Sequence, residues 1–236
     1  MTPAELRRAA SAGIAFVVLF VVGVFVTFGN SPDIKKHDSD AVTAGKFVAK
    51  LSDSGARTGL LVGAYLLVAA ALAFVWFSQA LSQLVAAPAA ARLIGAIAIL
   101  GAGAVAAGAM ASAVIAGAVS FGDEPVPKDG DTIRVVMDLS FPFMFVVFAL
   151  SSAAIAATIA VRAQGVSSWL RYTAWVAVLG GIFAVIFLPM ALVLLWYLAV
   201  AIVVLVRPAA PAAAPPEARH SSPGASRPVA EDSART

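Results

Sequence analysis

The stretch GIFAVIFLPMALVLLWYLAV, residues 181–200, has no charged side chain and a single proline. It lies within an apolar run from Trp169 to Val206, 38 residues in all, and that run constrains the fold more than any other feature. As one helix rising about 1.5 Å per residue it would extend ~57 Å. The hydrocarbon core of a bilayer is about 30 Å thick, and an average tilt of about 20° cannot absorb a near-doubling. Two crossings fit, over 169–187 and 189–206. Proline is at ease in the first turn of a helix, and the residue before it avoids the helical region. A chain reversal at Leu188-Pro189 follows, against the alternative of one kinked helix. Because IFLPM offers no polar loop residue, that turn must sit at the interface or against protein.

Four further apolar segments precede this run, at about 10–29, 59–84, 93–119 and 133–161. With 61% hydrophobic and only 12% charged residues, the chain cannot cover such a core with polar surface in water. The fold class is therefore all-α, a polytopic membrane helix bundle of about six transmembrane helices over residues 1–207. Arg7 and Arg8 precede the first segment like the start of a signal peptide. The segment is long for one and VTFGNS offers no small-residue cleavage site, so it reads as an uncleaved span. Residues 208–236 are rich in Pro, Ala and Ser without apolar periodicity, and read as a disordered tail.

An even number of spans puts both termini on one side. Nine Lys/Arg then fall on that side (Arg7, Arg8, Arg92, Arg162, Arg171, Arg207, Arg219, Arg227, Arg235) and seven on the other (Lys35, Lys36, Lys46, Lys50, Arg57, Lys128, Arg134). The excess places both termini in the cytoplasm. In the first outer loop Ala44, Phe47, Val48 and Leu51 recur at i, i+3, i+4 and i+7. This predicts a short amphipathic helix resting on the outer headgroups, capped by Ser39 or Asp40 and ended by Gly55.

Several classes of chemistry are disfavoured. There are no cysteines, and the two histidines, His37 and His220, fall in the first loop and the tail with no triad or metal-ligand set around them. Asp123, Glu124, Asp129 and Asp131 lack the Ca²⁺-loop spacing. No basic face interleaved with aromatics is present, so nucleic acid is not an expected partner. The expectation is a non-enzymatic protein without cofactor or metal, whose partners are the lipid bilayer and a second copy or another membrane protein.

Three constellations stand out. In the third span Ala104, Gly108, Ser112 and Ala116 recur every four residues, beside a second stripe of Gly103, Ala107 and Ala111. Small residues at that spacing let helix backbones approach closely in lipid; a packed central helix, a homodimer seam and a pore lining are the three readings. In the fourth span Asp138 lies four residues after Arg134, with Pro142 one turn deeper. A charge inside a span is a functional candidate: the pair is either an interfacial ion pair or the seat of proton- or cation-coupled transport, with a kink at Pro142 opening a pocket. Ser78, Gln79, Ser82 and Gln83 form a polar patch at the inner end of the second span, expected to bond between helices. Trp196, deep in the last span, is expected to pack against the small-residue third helix. RLIGAIAILGAG (92–103) and RYTAWVAVLGGI (171–182) each place arginine nine residues before glycine, as a duplicated hairpin would.

The stretches SAGIAFVVLFVVGVF, GAYLLVAAALAFVWFSQAL, SSWLRYTAWVAVLGGIF and FLPMALVLLWYLAVAIVVLVRP together resemble a group of small six-span, uncharacterised integral membrane proteins of high-GC Gram-positive bacteria. That group often opens its fifth span with Leu-Pro-x-Trp-Leu-Gly-Trp. Here Trp169-Leu170 match, Arg171 stands where glycine would, and the proline is replaced. The resemblance implies six spans and a turn before the final Trp-containing helix. It supplies no activity and no functional residue.

Overall fold

The computed structural model describes residues 2–35, 37–121, 130–163, 168–183 and 188–206. The tail 208–236, most of the acidic turn and the link before Trp169 therefore lie outside the described residues. Among the described residues seven helices follow in order: α1 (Pro3–Gly29), α2 (Asp40–Ser52), α3 (Ser54–Ser82), α4 (Pro88–Phe121), α5 (Gly130–Arg162), α6 (Ser168–Ile182) and α7 (Leu188–Val206). The described residues contain no strand, only an isolated bridge between Val85 and Ala163 that ties the α3–α4 link to the end of α5. The chain is an all-α helical bundle and a multi-pass membrane protein: α1, α3, α4, α5 and α7 each contain a stretch long and apolar enough to cross a bilayer.

Local chemistry sets the helix starts earlier than hydropathy does. Thr2 and Glu5 form a capping box, with Glu5 N–H on Thr2 Oγ1 at 3.2 Å and Thr2 N–H on Glu5 Oε2 at 2.6 Å, and Pro3 fills the first position. The helix thus begins two turns before the apolar run. Ser39 caps α2 through the Val42 N–H. Asp53 ends α2 and starts α3, its carboxylate accepting the Gly55 N–H at 3.0 Å. Gly55 therefore belongs to α3 and does not terminate α2: a carboxylate cap at Asp53 closes the turn first.

Six helices form a ring in the order α1, α3, α4, α5, α6, α7, with α7 returning to α1. Successive neighbours run antiparallel. Gly13 faces Phe77 while Gly63 faces Thr27 across α1 and α3, and Gly101 faces Ser151 while Gly108 faces Met144 across α4 and α5. Close approach is obligatory at some of these points: a Cβ on Gly13 would lie 2.6 Å from Phe77, and one on Gly181 would lie 2.7 Å from the Ala149 carbonyl. The α6–α7 pair decides the reversal. Gly180 near the end of α6 lies against the Pro189 carbonyl at the start of α7, so the two helices are side by side and one continuous helix is excluded. Helix α6 has 15 residues where a span of 169–187 is expected; of that span, residues 184–187 lie outside the described set.

Aromatic rings fill the middle of the ring of helices. Phe16 stands 4.8 Å from Phe74, Phe74 stands 5.3 Å from Tyr197, and Phe20 stacks on Phe148 at 5.3 Å between centroids. These rings come from α1, α3, α5 and α7, and Phe16, Phe20, Phe74, Phe148 and Tyr197 are all fully or almost fully buried. Helix α2 packs outside the ring, on the first turns of α3 and α5, where Phe47 and Leu51 meet Leu60 and Ile133. Its apolar face is thus covered by protein and not by headgroups, because α5 extends a further turn or more beyond the apolar core and offers Ile133.

Candidate functional site

Arg134 and Asp138 sit one turn apart near the start of α5, and the pair forms: Arg134 Nε donates to Asp138 Oδ2 at 3.3 Å. A shorter contact joins Arg134 to Asp40 Oδ1, at 2.5 Å, across the gap between α5 and α2. Sequence spacing cannot reveal this partner, since Asp40 is far away in the chain and is brought near only when Phe47 and Leu51 dock. Arg134 therefore ties the outer helix to the bundle. The Asp138 side chain is 55% exposed and turns outward, into an open surface cleft of about 560 Å³ that Asp40, Asp131 and Leu139 also line. Helix α5 runs unbroken through Pro142.

A second ion pair braces the same end. Lys46 Nζ on α2 donates to Asp38 Oδ2 at 2.6 Å and to the Asp33 carbonyl at 2.8 Å, and the Lys35 N–H donates to Asp38 at 2.6 Å. The Lys46 hydrogen bond, then the Lys35 N–H, holds the Asp38 carboxyl below its ordinary pKa.

The two stripes of α4 part company. Ala104, Gly108 and Ser112 are buried, and a Cβ on Gly108 would lie 2.8 Å from Met144 on α5. Gly103 and Ala107 face outward, with nothing within 4 Å of a Cβ at Gly103, and Ala111 is half-buried. The side chain of Ala116 lies outside the described residues. One stripe thus builds the bundle and the other is left on its surface.

The polar patch at the end of α3 does not bond between helices. Ser78 Oγ donates to the Val75 carbonyl at 2.6 Å and Ser82 Oγ to the Gln79 carbonyl at 2.7 Å, both within α3. Gln79 and Gln83 are exposed. Each serine finds an acceptor three residues back on its own helix, so no neighbouring helix is needed. Trp196 is buried as expected, but α7 lies across the ring from α4, and its ring stands 5.2 Å from Tyr197. Among the described residues Trp196 Nε1 has no hydrogen-bond partner, and the buried Tyr197 hydroxyl has the Ser152 hydroxyl as a polar neighbour. In the repeated segments, Gly101 and Gly180 each lie against the following helix, at Ser151 and Pro189.

Among the described residues no His, Asp or Glu group is gathered closely enough to hold a metal ion. No protein-family model, no curated protein and no solved structure matches the chain.

Proposed function

We propose that this is a non-enzymatic protein of a bacterial plasma membrane, with both termini cytoplasmic, that associates laterally with a second copy or with another membrane protein. The observation that carries the reading is the outward stripe of Gly103 and Ala107 on α4, flanked by exposed Leu100, Met110 and Val114. Within lipid, apolar surface alone gives no drive to associate. Close backbone approach does, and small residues permit it. The inward stripe of the same helix already uses that device against α5.

A transport role centred on Asp138 draws no such support. Its carboxylate faces the outer surface cleft, and the middle of the helix ring is occupied by packed aromatic rings.

The chain has no cysteine, so a single Gly103→Cys or Ala107→Cys reports proximity without background. Oxidation in native membranes is expected to yield a crosslinked species at these positions and none with cysteine at exposed Trp76 on α3. A Gly103→Leu, Ala107→Leu double variant is expected to stay folded and lose the assembly. A strict monomer that copurifies with no other protein refutes the reading.

A further inference from the structure

The two ends of the bundle use their charges differently. At the α2 end acids are plentiful: Lys46 pairs with Asp38, and Arg134 with Asp40 and Asp138, while Lys35, Lys50 and Arg57 make no ion pair among the described residues. The opposite end carries Arg7, Arg8, Arg92, Arg162 and Arg171 and, among the described residues, one acid, Glu5. Glu5 is already engaged by the Thr2 N–H at 2.6 Å. None of these five arginines makes an ion pair among the described residues. A guanidinium without a counter-charge at a bilayer edge is a ready phosphate ligand, because its planar fork matches two phosphate oxygens.

Arg171 differs from the other four. Its Nε donates to the Ala160 carbonyl near the end of α5 at 3.2 Å. That bond holds the guanidinium at a cleft of about 230 Å³ between α5 and α6, with its two terminal nitrogens unpartnered among the described residues. Ser168, Tyr172 and Trp175 line the cleft with it. These four lie at i, i+3, i+4 and i+7, one face of α6. The same face continues through Leu179 and Ile182, 57% and 50% exposed. Along its length the face passes from a cation and a hydroxyl, through amphipathic rings, to bare aliphatic surface. A phospholipid has the same order of chemistry, from phosphate through the interfacial region to acyl chain. A free anion would use only the first part.

We propose that the α5–α6 cleft at Arg171 binds a phospholipid with an anionic headgroup. The phosphate sits on the Arg171 guanidinium and the Ser168 hydroxyl, and an acyl chain lies along Trp175, Leu179 and Ile182. The inference requires that the helices lie in a bilayer and is independent of whether α4 associates.

The test is native mass spectrometry of the full chain, delipidated in detergent and titrated with phosphatidylglycerol or phosphatidylcholine, with inorganic phosphate as competitor. Phosphatidylglycerol is expected to be retained in preference. Arg171→Gln is expected to lower that retention about fivefold, the scale of one arginine at an anionic surface. Ser168→Ala lowers it in the same direction and leaves the Ala160 bond intact. Arg92→Gln, the same charge change outside the cleft, leaves retention unchanged. Equal retention of the two lipids, equal loss from Arg171→Gln and Arg92→Gln, or full displacement by inorganic phosphate overturns the proposal.

Discussion

Tyr197 shows what a single residue does in this interior. Its ring touches Phe16, Phe74 and Phe77, each within 6.0 Å between centroids, and its buried hydroxyl has the Ser152 hydroxyl as a polar neighbour. The ring supplies most of the stabilisation, since one neutral hydroxyl pair adds only about 1 kcal/mol. Tyr197→Phe is therefore expected to change the thermal midpoint in detergent little, whereas Tyr197→Ala lowers stability by about 3–5 kcal/mol through the cavity it leaves. A loss from Tyr197→Phe as large as that from Tyr197→Ala would overturn this division. Asp38 makes the complementary case at the surface. Its folded-state pKa lies below the ordinary value of 3.8 because the Lys46 ammonium and the Lys35 N–H favour the charged form. The bracing is complete above that ordinary value and is lost as pH falls through the lowered one. Hydrogen exchange of residues 33–46 is expected to quicken on acidification through that window, and Asp38→Asn to reproduce the effect at neutral pH. Sequence alone does not show either residue's role: Tyr197 is one apolar position among many, and the Asp38–Lys46 pair depends on where α2 docks.

At the scale of elements, periodicity and length carried most of the information. The face of Ala44, Phe47, Val48 and Leu51 is legible because a 3.6-residue repeat needs no knowledge of what covers it. What covers it is not legible, since Ile133 and Leu60 are remote in the chain. The same limit applies to α4: the four-residue spacing marks two small-residue stripes, but which one meets α5 depends on Met144 and Ser140 being there. That the chain reverses between α6 and α7 was legible because bilayer thickness is fixed; Leu188 and Pro189 are already helical in α7, and residues 184–187 lie outside the described set. Phe47→Ala removes the larger anchor of α2, and a buried Phe truncation costs about 3–5 kcal/mol. Amide exchange in 40–52 is expected to rise strongly while that of 63–81 holds. Gly181→Leu should act differently: forced against the Ala149 carbonyl, it is expected to cost about 1–3 kcal/mol by overpacking, read as a lowered melting temperature of the whole bundle.

For the molecule as a whole, an even ring of antiparallel helices returns Val206 to the end where Thr2 lies. Reporter fusions before α1 and after α7 are expected to score on the same side of the membrane; opposite sides would break the ring. With aromatic rings stacked through its middle, the bundle offers no continuous polar route from end to end among the described residues. Asp138→Asn is accordingly expected to leave proton and cation leakage of proteoliposomes unaltered, and to loosen only the Arg134 brace.

Asp53 is the whole of the connection between two rods. With one extended residue between Ser52 and Ser54, the ends of the two helices cannot separate. A change in the tilt of α3, as when the surrounding bilayer thins, swings α2 like a lever arm and pulls directly on the Arg134–Asp40 contact at its far end. Three glycines spliced in beside Asp53 would cut that mechanical link while leaving both helices their own caps.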